Sequence, residues 1–124
     1  MGRRRVLVIE DDPAFQELVV YLLQSDGYDV TAIDSALGAA ALARRLRPCA
    51  ILLDLGLPYR SGASLLAELK GDSQTADIPV VVISALPETL TADRRAMAAH
   101  VLTKPLQLQE LLEAVRAVCA PADE

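Results

Sequence analysis

Five side chains with complementary chemistry each end, or directly follow, a short apolar run. They are Glu10, Asp11, Asp54, Ser84 and Lys104. The carboxylates would repel one another at close range unless a cation or protons relieved their charge, and oxygen ligands of this kind suit Mg²⁺. A hydroxyl and an ammonium can donate hydrogen bonds to phosphate oxygens, and an aspartate can carry a phosphoryl group as an acyl phosphate. Brought together, these residues would support Mg²⁺-dependent phosphoryl transfer.

The apolar runs themselves are typical of strands in a parallel sheet. The strand-like runs are residues 6–9, 28–33, 50–54, 80–83 and 100–103. Most are uninterrupted aliphatic segments that are too short for helices and suit strands buried on both faces. The run at 28–33 alternates partly in polarity, as expected at a sheet edge. Asp54 is the last residue of its run, so its carboxylate is expected at the carboxyl end of a strand.

Helical patterns separate these strands. They cover residues 13–27, 36–47, 65–71, 89–99 and 108–119. Asp12 and Pro13 are a typical cap and first residue for the first helix, and Ser35 is placed to cap the second. The apolar stripe predicted for the first helix consists of Phe15, Leu18, Val19 and Leu22. The fourth helix is the weakest, because Leu90 and Met97 are its only large apolar side chains, and we expect it to be the most mobile.

Strands that alternate with helices predict a parallel sheet with helices on both faces. In such a sheet the carboxyl ends of the strands meet at one edge, where ligands of open α/β sheets bind. That edge would collect the carboxylates, the hydroxyl and the ammonium in one crevice. A single Asp after a strand usually does no more than start a turn. The matching chemistry at three other strand ends is what favours a functional role for Asp54.

Composition and charge argue against several other classes of protein. The 124 residues fit a single domain, residues 1–124, and a hydrophobic content of 52% allows a large aliphatic core. A net charge of −5 argues against direct nucleic-acid binding. No apolar run approaches the roughly 20 residues of a membrane span, so a soluble cytoplasmic protein is expected. Cys49 and Cys119 lack metal-binding or redox spacing and are expected to be free thiols in that reducing compartment.

Four motifs mark the predicted strand ends. They are residues 8–12 (VIEDD), 53–58 (LDLGLP) with Gly62, 78–85 (IPVVVISA) and 103–105 (TKP). In this order and spacing they resemble the receiver domain of bacterial two-component response regulators, over nearly the whole chain. The resemblance implies an α/β, flavodoxin-like (βα)5 fold, in which a doubly wound parallel five-stranded sheet has the strand order 2-1-3-4-5.

In that family the acidic residues hold Mg²⁺. By resemblance, Asp11 and Asp54 are direct ligands of the metal, and the backbone carbonyl of Gly56 is a third ligand. Glu10 is implied to act through a water molecule. Asp12 stands where the family uses no metal ligand, so we interpret it as a helix cap.

The resemblance also implies roles in phosphoryl transfer. Asp54 corresponds to the phosphoacceptor, Lys104 to the lysine that contacts the phosphoryl group, and Ser84 to the switch hydroxyl. Such a domain assists its own phosphorylation and dephosphorylation and is not an enzyme with a separate substrate. Its expected partners are a sensor histidine kinase or phosphotransfer protein, and a downstream protein or effector domain, with no direct binding to nucleic acid or membrane. The Lys104–Pro105 peptide bond is expected to be cis.

The chain departs from the family on the face expected to signal. Val101 replaces the usual aromatic residue of the fifth strand, residues 97–100 replace a Gly-Ala pair, and Arg60 stands where an apolar residue is common. Since valine has no ring to move between two positions, phosphorylation is expected to displace residues 86–87 and the helix at 89–99. We expect a monomer or a weak dimer, and no tight dimer through this face.

Three alternatives share part of the pattern. A flavin-binding flavodoxin needs a first loop that holds a phosphate, and the acidic residues 10–12 would repel it. A phosphatase of the haloacid dehalogenase type has an Asp two residues after its nucleophile, where this chain has Gly56. A receiver-like scaffold that works without phosphorylation usually lacks an acidic residue or the Lys, and all are present here. His100 is too isolated for a metal site or a phosphorelay histidine, and is expected to be partly buried at the sheet edge.

Overall fold

The structure, a computed structural model, describes residues 4–57 and 61–119. Its strands are β1 (Arg5–Ile9), β2 (Asp29–Ile33), β3 (Ala50–Asp54), β4 (Val80–Ser84) and β5 (His100–Thr103). Its helices are α1 (Pro13–Ser25), α2 (Ala39–Leu46), α3 (Gly62–Gly71), α4 (Ala92–Met97) and α5 (Leu108–Val118), with a 3₁₀ turn at Pro87–Thr89. The described strands pair in parallel in the order β2-β1-β3-β4-β5, which confirms the predicted order. No helix in these ranges has the length and apolar content needed to cross a membrane.

The three central strands are buried on both faces, as their uninterrupted apolar sequences predict. Every residue of β3 and of β4 is buried. Successive strand side chains point to opposite faces, so Leu7 and Ile9 join a core with α2 and α3, whereas Val6 and Val8 join a second core with α1 and α5. Fully burying one such aliphatic side chain contributes about 1.5–3 kcal/mol. These two cores fix the sheet, and with it the edge where the strands end.

The first helix is capped as predicted, but its apolar stripe differs from the prediction. The Asp12 side chain accepts hydrogen bonds from the backbone N–H groups of Ala14 and Phe15. Val19 and Leu23 are fully buried, whereas Leu18 is 48% exposed. Leu18 precedes Val19 by one residue, which turns it by about 100° from the centre of the buried face. The spacing of three and four residues was correct, and the assignment of Leu18 to the stripe was wrong.

The second helix starts later than the predicted residue 36. Gly38 precedes it with φ of +73°, a left-handed conformation that interrupts a helix. The Ser35 hydroxyl accepts a hydrogen bond from the backbone N–H of Leu37, within the preceding turn, so the prediction that it caps this helix is wrong. The helix ends at Leu46, because Arg47 also has a positive φ, of 50°.

The fourth helix is the weakest described, as predicted, and it is shorter than the expected residues 89–99. It contains no buried residue; Met97 is partly buried against the core, and two arginines donate hydrogen bonds to neighbouring backbone. Arg94 Nη1 donates to the carbonyl oxygen of Ala63 in α3, 2.8 Å away, and Arg95 Nη2 donates to that of Pro87, 3.1 Å away. Thr91 caps the helix by accepting from the Arg94 N–H. Little apolar surface therefore secures α4 to the rest of the fold.

The cysteines are not free, and the prediction of unpaired thiols was wrong. Cys49 and Cys119 form a disulfide, with their Cα atoms 5.4 Å apart. It links the residue before β3 to the residue after α5, which are 70 positions apart in the sequence. The Tyr28 hydroxyl donates to the Cys119 carbonyl oxygen beside it. Neither cysteine has a short-range partner in the sequence, so only the folded topology brings the pair together.

Candidate functional site

The predicted site residues meet at the carboxyl edge of the sheet. Glu10 directly follows β1, and Asp54 and Ser84 are the last residues of β3 and β4. Lys104 follows β5 and is held by its backbone N–H, which donates to the Ser84 carbonyl oxygen at 2.8 Å. The Glu10, Asp54 and Ser84 residues are only 3%, 7% and 5% exposed. The parallel topology therefore places these groups in one partly enclosed crevice, as the strand pattern predicts.

Three carboxylates form the acidic part of this crevice. Glu10, Asp11 and Asp54 each offer one oxygen, and these oxygens lie within 4.8 Å of one another. Asp11 is exposed, whereas the other two are buried, so the cluster opens to solvent on one side. Carboxylate oxygens with access to water are the donor set that Mg²⁺ prefers, since that ion keeps several of its waters. The residues present therefore fit a magnesium ion.

The Gly56 loop is shaped around the same carboxylate. The backbone N–H of Gly56 donates to Asp54 Oδ1 at 3.2 Å, which fixes the orientation of the side chain. Gly62 packs directly against the backbone of Asp54 and Leu55. A Cβ added at Gly62 would lie 2.5 Å from the Asp54 carbonyl oxygen and 2.7 Å from the Leu55 Cα. The first turn of α3 is thus built directly onto the end of β3. The role of the Gly56 carbonyl as a metal ligand stays a prediction, and Arg60 lies outside the described residues.

Lys104 faces the acidic cluster. Its Nζ lies 3.2 Å from Glu10 Oε1 and 3.6 Å from Asp54 Oδ2. It also lies 4.9 Å from the centre of the Phe15 ring. The Lys104–Pro105 peptide bond is cis, which confirms that expectation. One ammonium therefore bridges two carboxylates that lie at the ends of different strands.

Burial and charge act in opposite directions on these groups. Burial, together with the nearby Asp54 carboxylate, raises the pKa of Glu10, although hydrogen bonds from the Asp12 N–H and Lys104 oppose the change. For Lys104, burial lowers the pKa most strongly as a single cause, but the Asp54 and Glu10 carboxylates together outweigh it and raise the pKa. The ammonium is thus firmly protonated, and the acidic cluster has an excess of negative charge that a cation would relieve.

Ser84 and the turn after it form the opposite wall of the crevice. The Ser84 hydroxyl oxygen accepts a hydrogen bond from the backbone N–H of Leu86 at 3.0 Å, so its own proton remains available to a ligand. A cleft of about 310 Å³ separates this wall from Asp54 and is bounded also by Gly56, Thr89 and Lys104. Such a space, open to solvent, can admit a phosphoryl group and its donor.

Two residues of the site were missed by the sequence analysis. Phe15 was assigned only to the helix core, yet its ring contacts the Lys104 ammonium. The Gln16 side chain donates to the carbonyl oxygens of Glu10 and Ile33, at 2.9 and 3.2 Å, and ties α1 to the ends of two strands. Their position in the first turn after the acidic loop was the available signal. His100, in contrast, is exposed and lies outside the acidic cluster, so the prediction that it is partly buried was wrong.

The sequence of this chain is similar to those of known response regulators. The family model described as the response regulator receiver domain matches residues 6–116. The DNA-binding dual master transcriptional regulator RpaA of Synechocystis is 39% identical over 121 residues, which are 96% of this chain and 50% of RpaA. The chain thus spans about half the length of the curated relatives that it matches.

Solved structures give the same result for the fold. A sensor protein from Polaromonas sp. JS666 has a TM-score of 0.85 and 31% identity, covering 94% of this chain and 96% of its own. The receiver domain of sensor histidine kinase PA1611 from Pseudomonas aeruginosa PAO1, with magnesium coordinated in its active-site cleft, has a TM-score of 0.82 and 29% identity over 94% of this chain and 98% of its own. With the family model matched from Val6 to Arg116 and the predicted strand order present, this chain belongs to the response regulator receiver domains.

Proposed function

We propose that this receiver domain accepts a phosphoryl group on Asp54, in the presence of Mg²⁺, from a sensor histidine kinase or phosphotransfer protein. The observation that carries the proposal is that Asp54 contacts two kinds of group. Its carboxylate lies 3.6 Å from the Lys104 ammonium and within 4.8 Å of the Glu10 and Asp11 oxygens. A nucleophile beside both a cation site and an ammonium suits phosphoryl transfer, where positioning and charge stabilisation supply most of the catalysis.

The metal would be held by Asp11, Asp54 and the Gly56 carbonyl, with Glu10 acting through a water. When bound, Mg²⁺ neutralises negative charge on the phosphoryl group and on the acidic cluster. The receiver domain of PA1611 has a magnesium ion coordinated in its active-site cleft, which supports this proposal. Glu10 is the most deeply buried of the three carboxylates, which suits an indirect contact with the ion through a water molecule.

In the proposed transfer, a carboxylate oxygen of Asp54 attacks the phosphorus atom of the donor. A P–O bond forms while the P–N bond of a phosphohistidine breaks, and the leaving nitrogen takes the electron pair, with a proton from solvent. Lys104 donates a hydrogen bond to a phosphoryl oxygen and balances part of its charge. Ser84 can donate its free proton to another oxygen of the group, and doing so would draw the turn at Leu86 toward Asp54.

The proposed output follows from that movement. The domain would act as a phosphoacceptor that assists its own phosphorylation and dephosphorylation, and it would signal to a downstream protein or effector domain. Several curated relatives are DNA-binding regulators of about twice this length, which supports an effector partner. We place the domain in the cytoplasm with its kinase, as a monomer or weak dimer that does not itself bind nucleic acid or membrane.

Intact-mass spectrometry after incubation with acetyl phosphate and Mg²⁺ tests the proposal. The wild-type protein should gain the mass of one phosphoryl group, and Asp54→Asn should not. Asp12→Asn is the matched control, because it changes an exposed carboxylate beside the site while retaining a helix-capping side chain. It should be phosphorylated like wild type. An equal adduct on Asp54→Asn would refute the assignment, and no adduct on wild type would favour a scaffold that works without phosphorylation.

A further inference from the structure

The Phe15 ring is the one aromatic group that contacts the site in the described part of the chain. Its centre lies 4.9 Å from Lys104 Nζ. A cation within about 6 Å of a ring centre is attracted by the negative charge of the ring face. The ammonium is only partly shielded, with 25% of the Lys104 side chain exposed, and Phe15 is half-buried. The contact therefore joins a core residue of α1 to the cation of the phosphoryl site.

The helical turn that carries the ring is anchored by hydrogen bonds. The backbone N–H of Phe15 donates to the Asp12 side chain, and the neighbouring Gln16 amide binds the carbonyl oxygens that follow β1 and end β2. The ring packs among Val8, Val19 and other residues of the core beneath the sheet edge. Because the first turn of α1 is anchored at several points, the ring face offers a fixed contact to the Lys104 side chain.

A ring contact also differs in kind from the ion pairs that Lys104 makes. Glu10 and Asp54 attract the ammonium only while they are charged and unoccupied, and both are expected to change when a metal and a phosphoryl group arrive. The attraction to the ring does not depend on those events. Because an ammonium has three N–H donors, the ring contact still leaves donors for carboxylate or phosphoryl oxygens.

We infer that Phe15 is a positioning residue for phosphoryl transfer, whose ring keeps the Lys104 ammonium directed at Asp54 throughout the reaction. This inference rests on the proposed function. It predicts that the electron density of the ring face, and not only its shape, sets the rate of transfer to Asp54.

The sequence allows a clean test, because Phe15 is the only phenylalanine in the chain. Growth on 4-fluoro- or 3,4,5-trifluorophenylalanine therefore alters this ring alone, weakening the charge on its face while nearly keeping its shape. The initial rate of phosphorylation by acetyl phosphate with Mg²⁺ should fall stepwise, by about three-fold for the trifluorinated ring. In the Lys104→Met background, fluorination should leave the residual rate unchanged. A rate independent of fluorination in wild type, or an equal fall in both backgrounds, would overturn the inference.

A second measurement needs neither phosphorylation nor metal. The side-chain methylene protons of Lys104 should show an upfield ring-current shift in the NMR spectrum, lost in Phe15→Leu and retained in Phe15→Tyr. In the phosphorylation assay with acetyl phosphate, the rate should likewise be retained in Phe15→Tyr. Absence of the shift would overturn the contact itself. Failure of the proposed function appears separately, as an unphosphorylated protein that still shows the ring-current shift, and in that case the positioning role fails with it.

Discussion

Gly62→Ala is the substitution whose effect follows most directly from the geometry of the site. The new Cβ would lie 2.5 Å from the Asp54 carbonyl oxygen, 2.7 Å from the Leu55 Cα and 3.1 Å from the Asp54 carbonyl carbon. All three are backbone atoms, so no side chain can rotate away to make room. Either the first turn of α3 or the end of β3 must move. The hydrogen bond from the Gly62 N–H to the Leu55 carbonyl oxygen, 3.0 Å long, opposes that movement.

Overpacking of this kind typically costs about 1–3 kcal/mol. Taking about 2 kcal/mol, and a urea dependence of about 2 kcal/mol per molar, the midpoint of urea unfolding should fall by about 1 M. The melting temperature should fall by about 8 °C for a domain of this size. The displaced Asp54 should also accept a phosphoryl group more slowly, since small errors in the position of a reacting group cost much of its rate.

Gly71→Ala is the matched control at the other end of the same helix, because nothing lies within 4 Å of a Cβ there. Alanine favours a helix over glycine by about 0.5–1 kcal/mol, so this variant should be as stable as wild type or slightly more stable. Urea unfolding followed by circular dichroism, with phosphorylation rates from intact mass, measures both variants. If Gly62→Ala unfolded within 0.5 kcal/mol of wild type and was phosphorylated at the same rate, the close packing of α3 against Asp54 would be wrong.

Three further outcomes are expected. Asp11→Asn should weaken Mg²⁺ binding in isothermal titration calorimetry by at least the roughly 10–100-fold that loss of an outer-shell partner costs, while Asp12→Asn should bind like wild type. Equal affinities would exclude Asp11 as a ligand. Folding raises the pKa of Glu10, so the folded state favours the protonated carboxyl group. Glu10→Gln should therefore be more stable than wild type at neutral pH without Mg²⁺. This gain in stability should vanish as the pH falls below the usual pKa range of Glu. Urea unfolding at several pH values checks this sign, and a gain that grew on acidification would contradict it. Beryllofluoride, a phosphate mimic, should change hydrogen exchange across residues 86–99 more than at 101–102, and the reverse pattern would restore the fifth strand as the main signalling element.

The sequence determines the sheet and the acidic cluster well because both follow from local patterns. The uninterrupted apolar strands ending in Asp54 and Ser84 specify buried parallel neighbours, and the alternating helices then bring the strand ends to one edge. Each polar group is displayed within a residue or two of its strand, so a modest error in a helix boundary does not move it. That is why the sequence predicted which residues meet at this edge, although it did not predict the limits of α2 and α4 correctly.

Other features depend on distances that the sequence does not display. Cys49 and Cys119 are 70 positions apart and meet only because α5 returns beneath β3. The contact of Phe15 with Lys104 likewise needs the packing of α1 against the loop after β5. The exposure of Leu18 depended on the rotation of α1 about its axis, which a spacing pattern fixes only to within a residue. Long-range packing, more than local propensity, accounts for these errors.

The attachment of α4 through Arg94 and Arg95 has a consequence for which substitutions its surface tolerates. Both arginines donate to main-chain carbonyl oxygens, at Ala63 and Pro87, and every residue type supplies that acceptor. The side chains at the two acceptor positions can therefore be replaced without removing a bond. The outward residues of α4 have no buried contact to lose. Substitutions on the outward face of α4 should therefore change the surface of the domain while both hydrogen bonds that attach the helix remain.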